Sequence, residues 1–177
     1  MGNNISEKTL NDLEFGTIID RIQSFCISDL GREATKAIRP ISNKELLLSE
    51  LKKVDEYATS FENDNRLPNH FFEDITKEIN FLQIENSYLT PEGFLKIASV
   101  SETVNEQLKF LKKFKELYPI LFNASYNVEY TTEIVDPIKK IITQFAEVND
   151  KASENLKLIR KQITSVRSEI NGSFNRA

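Results

Sequence analysis

An all-α fold, a multi-helix bundle with a long C-terminal helix starting near Ser153, is what this sequence predicts, and three observations predict it. Apolar residues recur at steps of three and four through most of the chain, and no stretch sustains period-two alternation. Only five glycines and five prolines punctuate the 177 residues, so helical runs continue over long spans. Helix-start chemistry stands ahead of several runs, at Ser28, Ser42, Thr90-Pro91-Glu92 and Ser153. A chain of this length fits one domain, or a domain plus an appended helix, and buries roughly 70% of its unfolded surface.

The first run spans about Thr9 to Ile27, with Leu10, Leu13, Ile18 (or Ile19), Ile22 and Phe25 inward and either Thr9 or Ser6 as its cap. Ser28 begins a second run, with Leu30, Ala34, Ala37 and Ile38 inward. Pro40 stops it, because the residue before a proline is pushed away from helical angles. Ser42-Asn43-Lys44-Glu45 has the pattern of a capping box, in which the Ser42 hydroxyl accepts from the Glu45 amide. The helix behind it places Leu47, Leu51, Val54, Ala58 and Phe61 on one face, and the polar turn Glu62-Asn63-Asp64-Asn65 ends it.

Phe71 to Leu82 reads as a shorter helix with Phe72, Ile75, Ile79 and Leu82 inward, followed by an irregular stretch with a turn at Asn86-Ser87. Thr90-Pro91-Glu92 supplies an N-cap, a proline whose missing N–H costs nothing there, and an acid in the first turn. Phe94, Ile97, Val104, Leu108 and Leu111 carry that helix to about Leu117, a span of roughly 40 Å. Tyr118-Pro119 breaks it, and Ile120-Leu121-Phe122 makes a brief apolar contact. Val128-Glu129-Tyr130-Thr131 alternates in the manner of an extended segment. A further helix opens at Asp136-Pro137, or at Thr132 with Pro137 in its first turn, and turns Ile138, Ile141, Ile142 and Phe145 inward. Val148-Asn149-Asp150 links it to the last helix.

That last helix carries a seam. Leu156, Ile159, Ile163, Val166 and Ile170 follow steps of three, four, three and four, the a/d repeat of a coiled coil. A bare seam of this kind is expected either to join two chains or to be one piece of a longer protein. From Lys151 onward the charge balance is +4, so residues 1–150 carry −8. An acidic body is a poor electrostatic partner for nucleic acid, although the basic tail has the charge to meet phosphate.

Several function classes are excluded or unsupported. One cysteine, Cys26, forbids an internal disulfide and, in the apolar register beside Phe25 and Ile27, reads as a small core residue. With His70 as the one histidine, no zinc site of the usual kind assembles. Gly16, Gly31, Gly93 and Gly172 stand alone, and none begins a phosphate-binding loop. Acidic pairs such as Asp12/Glu14 and Glu73/Asp74 read as solvated faces, and no serine has a histidine near it in sequence. Absence of tryptophan and scattered tyrosines leave no base-stacking platform. No span reaches the roughly 20 apolar residues of a membrane helix, and no signal peptide is visible. Met1-Gly2-Asn3-Asn4-Ile5-Ser6 matches a myristoylation pattern, but Glu7 follows where a basic residue would help, so Gly2 reads as fortuitous. Asn123-Ala124-Ser125 and Asn171-Gly172-Ser173 match glycosylation acceptors, which carry meaning only on secretion. The residues alone therefore predict no catalytic, cofactor-binding or metal-ligating side chain.

Three segments carry a family resemblance. Leu13-Glu14-Phe15-Gly16-Thr17-Ile18, then Ser28-Asp29-Leu30-Gly31-Arg32-Glu33-Ala34 and Ile38-Arg39-Pro40, form the first. Leu89-Thr90-Pro91-Glu92-Gly93-Phe94-Leu95 is the second, and Val148-Asn149-Asp150-Lys151-Ala152-Ser153-Glu154-Asn155-Leu156-Lys157-Leu158-Ile159-Arg160 the third. In order and spacing they resemble the MutS-II branch of the MutS family over nearly the whole sequence. Gly93 departs from the pattern, standing where the family has an acid.

The resemblance implies a helical core over 1–150 and, over 151–177, the start of the lever helix. In that family the lever continues into a clamp, returns, and leads to a dimeric ABC-type ATPase, and many members add a small Smr nuclease domain. Those parts would lie outside these residues, so no catalytic residue carries over. The parent so implied is a cytoplasmic homodimer that binds mismatched or branched DNA, or collided ribosomes, uses ATP and Mg, and acts in recombination suppression or ribosome rescue. The motif residues have plainer structural roles: Arg32 is expected to pair with an acid or a helix end, Ser153 to cap the lever, and Asp150 to add a local hydrogen bond. Two other readings stay open, an oligomerisation or adaptor module using the 156–170 seam and direct nucleic-acid binding by Lys157, Arg160, Lys161 and Arg167.

Overall fold

The computed structural model describes residues 5–71 and 73–174, and it is all-α: among the described residues there are nine helices and no strand. Met1–Asn4 with the myristoylation pattern, and the inward position expected of Phe72, lie outside the described residues.

The first run is two helices, not one. Helix α1 (Glu7–Asp12) is capped by Ser6, whose hydroxyl accepts from the Thr9 amide, and α2 spans Phe15–Ser24. Glu14 divides them in the left-handed region, φ 53°, a conformation that costs an L-residue about 1–2 kcal/mol. Ser28 caps α3 (Asp29–Thr35) as expected, but the helix ends five residues before Pro40. Cys26 is only half-buried, packed near Gly31, with its thiol 3.6 Å from the Ile22 carbonyl. Leu10 and Ile19, the alternative to Ile18, are half-buried, whereas Leu13, Ile18, Ile22, Leu30 and Ile38 are exposed rather than inward, and Phe25 is 76% exposed.

The box at Ser42 is displaced by one residue. Asn43 caps α4 (Lys44–Thr59), its side-chain oxygen accepting from the Leu46 amide at 2.9 Å. An amide side chain satisfies the same orphan N–H as a serine would, and Asn is as good a cap as Ser. Helix α5 (Thr76–Leu82) starts later than Phe71, and Ile79 and Leu82 are exposed.

Helix α6 (Pro91–Lys113) is the longest element, opened by the Thr90 cap and Pro91 as expected, and at 23 residues it stops short of Leu117. Ile97, Ala98, Leu108 and Leu111 are buried on it. Ile120–Phe122 lies inside a short helix, α7 (Pro119–Ala124), and residues 128–131 are irregular rather than extended. Helix α8 (Thr132–Ile141) contains Pro137 in its interior, not in its first turn. A proline there loses one backbone bond and crowds the preceding turn. Burial of Val135 and Ile138 on either side of it, against α6, holds the helix together. Ile141 and Phe145, expected inward, are exposed.

The core is therefore the α6–α8 contact: Ile97, Ala98, Ile138 and Ile142, with Ile75, Leu89, Phe94 and Leu95 packed around them. Asn105, buried on α6, accepts from the Thr131 amide at 2.9 Å and fixes where α8 begins. On the surface Glu102 and Lys139 pair across the same two helices. Helices α1–α3 form a separate small group, and α7 bridges α4 and α6.

Tyr118 locks the α4 end to this core. It is 1% exposed. Its hydroxyl lies 2.7 Å from the Asn65 carbonyl and 3.0 Å from the Asn63 side-chain amide. Its ring stacks on Phe110. Glu56 of α4 then caps α7 from outside, accepting from the amides of Ile120 and Leu121 at 2.9–3.0 Å. Helix α9 (Glu154–Phe174) follows the last loop.

Candidate functional site

The loop between α8 and α9 is built as a small closed unit. Ile142 and Val148 form an antiparallel bridge. The Thr143 amide donates to the Glu147 carbonyl at 2.8 Å, and the Asn149 amide to the Ile141 carbonyl at 2.7 Å. Ala146 turns the chain in the left-handed region, φ 58°. Because Ile142 belongs to the buried core, this rung hangs Val148 and Asn149 directly on the α6–α8 contact.

Helix α9 is tied to that rung twice. Ser153 caps it, its hydroxyl accepting from the Leu156 amide at 3.1 Å. Asn149 stiffens the approach by accepting from the Lys151 amide at 3.0 Å. Two turns up, Arg160 reaches back, donating through Nη1 to the Val148 carbonyl at 2.9 Å and to Asp150 Oδ1. One guanidinium thus joins the helix, the loop and the core-anchored rung. Asp150, Ser153 and Arg160 all belong to the sequence pattern that leads into this helix; the bond from Arg160 back to the Val148 carbonyl is what the pattern alone does not state, although the seven-residue spacing from Ser153, two helical turns, is compatible with it.

Beyond its root, no other helix packs extensively against it among the described residues. Ile159, Ile163, Val166 and Ile170 are about half-exposed, so the seam is uncovered; Leu156, at the root, is half-buried. Lys151, Lys157, Arg160 and Lys161 line a shallow basic depression beside Asp150.

Among the described residues no group of three or more His, Cys, Asp or Glu is placed to hold a metal. The polar cleft between α3 and α5 is lined by Asp29, Arg32, Asp74, Lys77 and Lys96, of which Arg32 and Lys96 are held in ion pairs. Arg32 pairs with Asp29 at 2.8 Å and donates to the Cys26 carbonyl just past α2, so it meets both an acid and a helix end. Lys96 lies between Glu78 and Glu73 at 3.4 and 3.5 Å, and the bond from Glu78 with both nearby charges raises its ammonium pKa. His70 sits on the Tyr57 hydroxyl at 3.1 Å, edge-on to Tyr57 and Phe61; burial pushes the Tyr57 phenol up, away from titrating near neutrality. Among the described residues no helix is long and apolar enough to cross a membrane.

Known proteins match nearly the whole of this sequence. Over 173 residues the chain is 30% identical to a protein named Endonuclease MutS2 from Alkaliphilus oremlandii, covering 97% of the chain. An Endonuclease MutS2 from Alkaliphilus metalliredigens is 28% identical across 97% of the chain, and the Putative endonuclease MutS2 of Bacillus subtilis 24% across 94%. Over nearly its whole length the chain is similar to a segment of proteins named MutS2. It spans 21–22% of the length of these relatives. No family model matches it.

The MutS2-like motifs sit at structural junctions. Leu13–Ile18 covers the break between α1 and α2, Ser28–Ala34 caps and braces α3, Leu89–Leu95 opens α6, and Val148–Arg160 is the root of α9. Gly93, where the family pattern has an acid, is buried, and a Cβ there would meet Leu89 and Glu78 at 3.5–3.6 Å.

Proposed function

We propose that this MutS2 segment is a non-catalytic connector, with residues 1–150 as the helical core and 151–177 as the root of a lever. The Arg160 bracket supports this most directly. A helix that must transmit a movement needs a stiff joint to the body, and Arg160, Ser153 and the Ile142–Val148 rung together make one. The uncovered seam beyond the joint suits a helix that runs alongside another.

In this reading the whole protein is a cytoplasmic homodimer that binds ATP and Mg elsewhere. It couples nucleotide hydrolysis to a clamp on branched or mismatched DNA or on collided ribosomes, and any nuclease activity also belongs elsewhere. The acidic body gives the 177-residue chain little affinity for nucleic acid of its own.

Two measurements test the reading. The purified chain should hydrolyse no ATP; stoichiometric ATPase activity would overturn it. In the full-length protein, Arg160→Ala should leave basal ATPase intact while weakening its response to DNA or ribosomes. An unchanged response would mean that the root transmits nothing.

A further inference from the structure

We infer that the hollow between α5, residues 83–90 and the start of α6 receives the arginine side chain of a polypeptide. The backbone shapes this hollow by folding back past α5. The Ile84 amide donates to the Phe81 carbonyl and the Ser87 amide to the Ile84 carbonyl, both at 3.1 Å, and the Ser87 hydroxyl donates to the Phe81 carbonyl at 2.5 Å. Asn86 makes the turn in the left-handed region, φ 62°. Leu89 then packs on the α6–α8 core, and Thr90 caps α6. The space left between these anchored pieces is about 690 Å³, within the range of ligand pockets.

Its floor is open because residue 93 is glycine. Gly93 is buried, and a Cβ there would lie 3.5 Å from Leu89 and 3.6 Å from Glu78, at ordinary contact distance. A longer side chain would run on into the hollow, which Gly93 lines. Aromatic rings form part of the wall: Tyr88 is 82% exposed and Phe81 45%. Neither ring stacks on another aromatic side chain among the described residues.

The charges decide the sign of the guest. Lys96 is held between Glu78 at 3.4 Å and Glu73 at 3.5 Å, and the charge of Lys77 acts on Asp74. Together with Glu92, that is four carboxylates against two ammonium groups in and beside the hollow. An anion finds no free donor at the start of α6, because the Gly93 amide donates to Thr90 Oγ1 at 3.3 Å and the Glu92 carboxylate lies on its own amide. A donor does find an acceptor. Glu78 turns Oε1 toward Lys96, while Oε2, shielded from solvent, has no hydrogen-bond partner among the described residues. Such an oxygen costs free energy until a donor reaches it. The last torsion of a glutamate is soft enough to turn it toward one.

Among cationic groups a guanidinium fits best. It stacks on aromatic faces, spreads five N–H donors in one plane, and brings an alkyl stem that packs on apolar walls. Free arginine would set its own carboxylate against those already there, so the side chain comes on a polypeptide, where that group is taken up in a peptide bond. The hollow uses none of the residues at the α9 root. It does not rest on the lever reading, and neither test above bears on it.

The experiment titrates the whole isotope-labelled 177-residue chain with Nα-acetyl-arginine methylamide and follows the backbone amide resonances. Those of Tyr88, Leu89 and Gly93 should shift and saturate with a Kd of about 1 mM or tighter. The citrulline analogue, which keeps the shape and drops the charge, should bind about tenfold weaker, and the lysine analogue and free arginine about threefold weaker or more. Tyr88→Ala, at an exposed position, should weaken binding about threefold, Glu78→Gln should weaken it about tenfold, and Gly93→Leu should abolish it. Circular dichroism checks that each variant is folded. No saturable shift by about 20 mM, equal binding of the citrulline analogue, tighter binding of Nα-acetyl-glutamate methylamide, or undiminished binding by a folded Tyr88→Ala, Glu78→Gln double variant would overturn the inference.

Discussion

Helices α6 and α4 follow the same rule of sequence and come out opposite in space. Both are capped at the start, and both carry apolar residues at steps of three and four. Helix α6 turns that stripe inward against α8, burying Ile97, Leu108 and Leu111. Helix α4 turns its stripe to solvent and spends its polar side on the body, where Glu56 and Ser60 are worth more as hydrogen-bond partners than as surface. Amphipathicity states that a face will be covered; the identity of the cover depends on contacts that the helix itself does not encode.

The largest effect should separate the two helices outright. Ile138→Ala, beneath α6, is expected to cost about 2–5 kcal/mol of unfolding free energy, measured by urea titration. Leu51→Ala should change it by less than about 0.5 kcal/mol. Equal losses would mean that α4 is packed like α6.

Glu56→Ala comes next, at about 1–2 kcal/mol, because it removes the outside acceptor for two amides at the start of α7. A loss that small yet visible would show α4 attached through its polar side. Arg160→Ala should cost less than about 1 kcal/mol globally, since the pair with Asp150 is largely exposed. Amide exchange should nonetheless quicken in the first two turns of α9 while protection in α6 stays unchanged.

Smallest is the acid limb. The side-chain bond from Thr76 lowers the Asp74 pKa, and the N-terminal amide and Thr90 at the start of α6 lower that of Glu92. Both carboxylates are bound more tightly when charged in the folded state. Their contribution is full above the ordinary carboxylate pKa and is lost as pH falls through the lowered values, below about pH 4. Asp74→Asn with Glu92→Gln should flatten stability against pH there and leave neutral pH almost unchanged.

Much of the local order was legible. Ser28, Thr90 and Ser153 cap the helices expected of them, because a cap is a matter of three consecutive residues. Ser42 was the wrong residue by one, since its neighbour Asn43 is an equally good acceptor. The break at Glu14 carries no glycine to announce it, and Pro137 gives a false one, since tertiary packing holds a helix across it. The Tyr118–Asn65 and Glu56–Ile120 bonds join residues 53 and 64 apart, beyond any periodicity. The apolar stripe of α9 was legible and lies exposed, and Arg160 stood in the legible pattern at its root without its bond to the Val148 carbonyl being legible.

The single rung between Ile142 and Val148 has a mechanical consequence. It is one bridge, with a left-handed alanine at its turn and one guanidinium bracing it. A 21-residue helix rises from it, about 30 Å long. A rotation of roughly 10° at the rung therefore displaces the far end by about 5 Å, more than the spacing between neighbouring strands in a sheet. A joint this compact acts as a gain stage: displacements too small to disturb the core next to it become, at the tip, large enough to change what the tip touches.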